Sequence, residues 1–258
     1  MRISTQTVLL FLFALLVYSC KKDSGDNTTT PPHDSGPWST LMRIVHQHAG
    51  CKDSTLLSMS GDKLQSTTRY NTCAGGSALK STQWYVYDGG KVYILDTSFM
   101  TDNDTLVVDA ALRILEVRRG NAPPGTVMLA HYQYSAQGLL VSSVEYYSGA
   151  SNADTTQYTF TGGDISEASN SSHTWRYSYY DKKVPDDGYF TQNGLAYGSA
   201  FLYKNVHLLK DVRDEQGNLM TSYTYDFDSY GNIIRKLTTD GTTGTVDTTR
   251  FDYLIAIE

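Results

Sequence analysis

Sustained helical spacing is nearly missing from this chain of 258 residues, and beyond its first residues so is any long apolar run. Charged side chains make up only 19%, the net charge is −6, and Lys and Arg form no stripe along the chain. A nucleic-acid binder needs such a basic face, so nucleic acid is excluded as a partner. There is no Gly-x-Ser-x-Gly elbow and no glycine loop built to cradle phosphate, which removes the commonest serine hydrolases and nucleotide sites. Cysteine is scarce, three in all, and six histidines are scattered. His46, His48 and Cys51 lie close together, but zinc needs three or four ligands and no second cluster supplies them. No metal and no cofactor are expected.

Tyrosine is what the chain has in excess, twenty against eight phenylalanines. Tyr suits a pleated, half-buried surface, where its ring packs on neighbours and its hydroxyl stays wet. Sheet is the expectation.

The amino terminus carries its own signal. Arg2 precedes an apolar run from Val8 to Val17, too short to span a bilayer comfortably and suited to the core of a secretory leader. It ends in Val17-Tyr18-Ser19-Cys20, which resembles the bacterial lipobox. The expectation is a signal peptide over 1–19 and lipid attachment at Cys20, with acyl chains holding the protein to the membrane at about 0.8 kcal/mol per buried methylene. Residues 20–37 are polar and rich in Pro, Gly, Thr and Asp, a composition that cannot offset its chain entropy and reads as a tether. The rest, 38–258, is expected to fold as one β domain. An exported chain meets oxidising conditions, so Cys51 and Cys73 are expected to pair.

A loose phrase recurs along that domain: aromatic-x-aromatic, a polar turn containing Gly, then aliphatic residues at alternate positions. Copies run through Trp84–Leu95, His131–Tyr147 and Gln157–Ser169, and two more turn at Gly217-Asn218 and Gly231-Asn232. Period two places both aromatics on one strand face, and Gly supplies the positive φ of a tight turn. Each copy is therefore a β-hairpin, and its acids are turn acids. At roughly ten to fourteen residues per strand and turn, the domain holds about fourteen to eighteen strands. The fold class is all-β: a large antiparallel meander that must curl or close, barrel-like, to hide its edges. Thr105–Gly120 reads as strand, although Leu106, Asp109, Ala110 and Arg113 also fit helical spacing. Asp181–Leu209 has no clean alternation before Phe201 and reads as a long excursion.

Trp175–Gly188, then Tyr203–Gly241, then Thr249–Leu254 together resemble the C-terminal half of a Bacteroidota lipoprotein family of unknown function with a porin-like β fold. The same Tyr-Asp phrases are similar to the more regular repeats of Rhs-type shells. Cys20-Lys21-Lys22-Asp23 resembles the start of surface-exported Bacteroidota lipoproteins. These likenesses imply a fold and an outer-membrane, cell-surface address, and no reaction. A membrane channel is not expected, because whichever face of Thr155–Thr161 or His173–Tyr180 turns outward carries polar groups where lipid would require apolar ones. The expectation is a soluble sheet tethered by lipid.

The leading functional reading is a non-catalytic envelope scaffold binding glycan or another envelope protein, with Trp38, Trp84 and Trp175 as candidate stacking rings. The alternative is an exported carbohydrate-active hydrolase assembled from Asp226, Asp228, Glu215 or Asp186. Four short motifs, beginning at Asp53, Asp104, Asp154 and Asp247, each followed by Ser or Thr, resemble Bacteroidota O-glycosylation acceptors and would have to lie in exposed turns.

Overall fold

A computed structural model describes residues 39–48, 51–60, 63–73, 79–96, 103–120, 124–185 and 201–255. The leader, the tether, Cys20, Trp38 and Asp186 lie outside them. Sixteen strands follow in chain order: β1 (Ser39–His48), β2 (Cys51–Ser60), β3 (Lys63–Cys73), β4 (Leu79–Asp88), β5 (Lys91–Asp96), β6 (Asn103–Val108), β7 (Ile114–Arg118), β8 (Val127–Tyr134), β9 (Leu140–Tyr147), β10 (Ala153–Thr161), β11 (Asp164–Ser169), β12 (Thr174–Lys183), β13 (His207–Arg213), β14 (Leu219–Phe227), β15 (Ile233–Asp240) and β16 (Val246–Ile255). Each pairs antiparallel with the next, and β1 pairs with β16, from Ser39 against Ile255 to Gln47 against Thr248. The meander closes into a barrel with no free edge, which removes the template for pairing with other chains. Thr105–Gly120 lies within two strands and their turn, and β6 already begins at Asn103.

The turns are built by their acids. Asp214 accepts hydrogen bonds from the backbone N–H groups of Gln216 and Asn218 and from the Asn218 side chain. Asp228 does the same with Tyr230 and Asn232. In both, the Gly before the Asn has a positive φ, 86° at Gly217 and 87° at Gly231, and its N–H donates back to the Asp carbonyl. Asp-x-x-Gly-Asn is thus a closed local unit in which each residue type has a bonding reason.

The tyrosines do something the sequence reading had reversed. The second aromatic of five phrases points into the barrel, and its hydroxyl donates to a backbone carbonyl of the preceding strand. The pairs are Tyr87 to Leu64, Tyr134 to Ile114, Tyr179 to Ile165, Tyr225 to Leu209 and Tyr253 to Ile233, at 2.7 to 3.1 Å. Every accepting residue sits where the hairpin before it shifts register. A bulge takes a ladder partner from the carbonyl there, and the next strand's phenol supplies a replacement. In β10 the equivalent aromatic is Phe160, which has no hydroxyl to give. Leu64, Ile114, Ile165 and Ile233 are themselves buried, so these bonds lie within the apolar layer. Tyr134→Phe is expected to cost about 1–3 kcal/mol, because it leaves a buried carbonyl without a donor. Urea unfolding measures it, and a loss below a few tenths would show that water replaces the phenol.

That layer fills the end of the barrel nearest the β4–β5, β8–β9, β10–β11 and β14–β15 turns. Leu64, Val92, Leu106, Ile114, Leu140, Leu208 and Ile233 all point inward and are almost fully buried. A strap seals the same end. Phe201 exchanges backbone hydrogen bonds with Leu112 and Ile114 at the start of β7, and the buried Asn205 side chain accepts from the Ile165 N–H of β11. Between these anchors Leu202 and Tyr203 pack on the core. Val206 then passes over Gly163, where an added Cβ would meet its Cγ2 at 2.6 Å. Residues 201–206 thus run from β7 to β11 against the core.

At the opposite end Cys51 and Cys73 face each other across β2 and β3 and are joined by a disulfide, with Cα atoms 4.1 Å apart and a sequence separation of 22. Loop-closure entropy for that separation is about 3 kcal/mol. Replacing both cysteines by Ser is expected to lower stability by that amount in denaturant titrations. A reductant should then have no further effect on the double variant.

Candidate functional site at the open mouth

Register decides which side chains share the lumen. Residues opposite or two positions from a core residue face inward. By this rule four even-numbered strands each send an acid inward near the disulfide end: Asp53 on β2, Asp104 on β6, Asp154 on β10 and Asp247 on β16. The Ser or Thr after each acid turns outward. The four glycosylation-like motifs therefore lie within strands and not in turns, a correction to the sequence expectation, since Asp-Thr here marks a strand entering the mouth.

These acids have neighbours of several kinds. Asp53 accepts from Asn71 and lies 3.5 Å from His48 Nε2, while Asp247 lies 4.0 Å from His46 Nε2. The rings of His46 and His48 stand 5.0 Å apart. Asp104 faces Arg119 at 3.8 Å. Among the described residues no three His, Cys, Asp or Glu side chains gather as a metal would require, and Cys51 is committed to its disulfide. His46, Asp53 and Asp247 keep about a quarter to two fifths of their side-chain surface exposed although they point inward. Solvent therefore enters the lumen from this end.

The wall formed by β9 to β14 is richest in polar and aromatic groups. Glu145 and Asp154 stand directly opposite each other across β9 and β10, both inward. The Tyr147 hydroxyl donates to Glu145 at 2.8 Å, and Asn170 donates to Asp154 at 2.9 Å. Through its bond to Glu145, the Tyr147 phenol is pushed up to about 12. Tyr158 shares a hydrogen bond with Ser143. Trp175 lies opposite Ala168, which lies opposite the inward Tyr158, so its ring also faces the lumen, with the His173 ring 5.7 Å away. Tyr177 and Tyr223 follow on β12 and β14. Burial raises the phenols of both, Tyr177 to about 12. On the next strand the inward Lys236 is lowered to about 8 by burial.

Among the described residues, the candidates named from sequence do not meet. Trp84 lies on the outward face of β4, 50% exposed, while Trp175 faces in. The two cannot form one stacking platform. The candidate acids are likewise separated: Asp226 pairs with Arg235 on the outer face, Asp228 is spent in its turn at the strap end, and Glu215 sits in a turn at the mouth end. No hydrolytic pair forms from them. Sequence reasoning missed Glu145, Asp154, Tyr147, Tyr177 and Tyr223. The repeated inward Asp at strand starts was the available signal.

The outer face mixes exposed apolar side chains, among them Leu56, Trp84, Val86 and Leu254, with charged pairs. Arg43–Asp252, Arg118–Glu116, Arg176–Glu167, Arg213–Asp211 and Arg235–Asp226 are ion pairs on outward positions. Whole outward rows carry no apolar side chain larger than Ala, as in Ala153, Thr155, Gln157, Thr159 and Thr161 of β10.

No family model matches the chain, and no curated protein matches it. Among solved structures, a crystal structure of a porin-like protein from Bacteroides uniformis superposes with a TM-score of 0.62 at 11% identity, covering 83% of this chain and 98% of that one. The likeness is one of fold. A second porin-like protein, from Bacteroides vulgatus, aligns over 81% of this chain and 86% of that one at 14% identity, but its TM-score of 0.24 carries no argument. Neither the lipoprotein family nor the Rhs-type repeats gain support from a family match.

Proposed function

We propose that this chain is an outer-membrane lipoprotein, tethered through Cys20, whose barrel stands in water as a non-catalytic binding scaffold with its open mouth as the ligand site. The outward ion pairs are the observation that carries it. A lipid-facing band must be apolar at nearly every outward position, and each Arg or Lys at the bilayer midplane costs about 2–4 kcal/mol. A tether supplies the membrane attachment that such a surface does not. The outer-membrane address rests on the lipobox-like leader, with the porin-like neighbour consistent with it.

The test is expression in a Gram-negative host. Mass spectrometry is expected to find an acylated amino terminus at Cys20, and Cys20→Ala is expected to release a folded barrel that stays in solution without detergent. A Cys20→Ala protein that folds only in detergent micelles would return the barrel to the bilayer. One observation favours a second reading. Glu145 and Asp154, directly opposed in the mouth, have the cross-strand spacing of about 5 Å between Cβ atoms that a pair of glycosidic carboxylates could use. Release of reducing ends from a glycan by the purified chain would decide for that reading.

A further inference from the structure

The mouth wall on β9 to β14 combines three kinds of group in one concave surface. The first is acceptors. Glu145 and Asp154 are each held on one oxygen by a neutral donor, Tyr147 or Asn170. Among the described residues neither carboxylate has a cation partner, so each keeps accepting capacity for something else. The second is donors. The inward hydroxyls of Tyr177 and Tyr223 bond to nothing among the described residues, and both phenols are held protonated by burial. The third is a flat apolar face, the partly exposed ring of Trp175. Tyr158 links the groups, since its hydroxyl feels the charges of Glu145 and Asp154 as well as lying near Tyr177.

Each simple ligand class can be weighed against that set. An anion such as phosphate would face two carboxylates directly opposite one another, with like-charge repulsion and no guanidinium on this wall to offset it. A purely apolar ligand would bury two phenols without acceptors and two carboxylates with one donor each, at about 1–3 kcal/mol for each unmet group. A quaternary ammonium would suit the carboxylates and the rings but offers nothing to phenol donors. A sugar ring satisfies all three. Its hydroxyls both donate and accept around the rim, and its C–H face is the apolar plane that Trp stacks against.

We infer that the β9–β14 wall is a saccharide site: a short neutral saccharide, longer than one ring, stacks on Trp175, donates hydroxyls to Glu145 and Asp154 at the mouth, and accepts from Tyr177 and Tyr223 deeper in the lumen. The inference rests on the mouth being the ligand site, and it fixes the chemical class. Tyr203 and the core layer fill the lumen at the strap end, so the saccharide enters from the disulfide end. A site of this kind takes a chain end or a short segment, not a polymer threaded through the barrel.

The experiment is calorimetric titration of the full chain, with tryptophan fluorescence as a second readout. The probes are glucose, galactose, mannose, N-acetylglucosamine, maltose and cellobiose, with choline chloride and inorganic phosphate as comparators. At least one saccharide is expected to bind with little dependence on salt. Trp175→Ala, and the double variant Tyr177→Phe with Tyr223→Phe, should each weaken it about tenfold or more, the equivalent of one lost hydrogen bond or stacking contact. Trp84→Ala, on the outer face, should leave it unchanged. The Phe variants keep the rings and so keep the packing, which separates lost binding from lost folding. Salt-sensitive choline binding that disappears in Glu145→Gln, with no saccharide bound, would overturn the sugar assignment and leave the mouth as a ligand site. Silence for every probe up to about 10 mM, where even contacts worth about 3 kcal/mol register, would overturn both.

Discussion

Raising the pH through 10 towards 12 is expected to unfold the barrel in one cooperative step. Burial lifts the phenols of Tyr85, Tyr134, Tyr158, Tyr177, Tyr179, Tyr203, Tyr223 and Tyr225 above the ordinary value of 10.0. The unfolded chain therefore releases those protons first. A group whose folded value is raised contributes its full stability below the unfolded value and loses it as pH climbs through the folded one. Tyr177 alone, near 12 in the fold, accounts for something on the order of 2–3 kcal/mol. Several such groups acting together exceed the whole stability of an ordinary domain. Lys236 works in the opposite direction, since it stands near 8 in the barrel against 10.5 unfolded. Stability should therefore rise by about 2–3 kcal/mol between about pH 8 and 10 before it collapses. Tyrosinate absorbance and circular dichroism, followed together, give the measurement. Phenols that ionise near 10 while the sheet signal persists would show that they are wet, and that the inward register is wrong.

The largest single-residue effect is expected at Asp164, whose side chain is only 9% exposed. One oxygen accepts from the His207 backbone N–H at 2.8 Å, and the other lies 2.7 Å from His207 Nδ1. This acid at the first position of β11 therefore fixes the first residue of β13, and with it the end of the strap. Asp164→Ala removes both bonds from a largely buried carboxylate position, a loss of about 3–5 kcal/mol. Asp164→Asn keeps the shape and one acceptor, and should recover more than half of that. Denaturant midpoints of the two variants test the ranking. Equal losses would mean that charge, not the backbone clamp, holds the strap.

Local features were legible because their causes are local. The recurring aromatic-x-aromatic phrases are strands, the Asp-x-x-Gly-Asn segments are turns, and sixteen strands fall inside the range that segment length allowed. In each case the governing interaction spans four or five residues: a side-chain oxygen on nearby N–H groups, a glycine at positive φ, or alternation of faces. The candidate site was not legible, and Trp84 and Trp175 show why. Period two tells which residues share a face of one strand, but gives no sign of which face is inner. Both tryptophans precede tyrosines in strands of ten residues, yet one ended outside and the other inside. The tyrosine hydroxyls were misread on the same ground. A phenol half-buried on a sheet is equally consistent with water and with a carbonyl of the strand before it, and only the bulges decide between them.

By itself the sequence determined an antiparallel meander, its turns, and the strands on which tyrosine would gather, because those depend on neighbours along the chain. Closure, the inner and outer faces, the strap at one end and the shared inward orientation of Glu145, Asp154, Trp175 and Tyr223 belong to the tertiary structure. Each depends on register between distant strands, above all β1 against β16. A one-residue slip in that register would set the inward face of one strand beside the outward face of the other, and the barrel could not close.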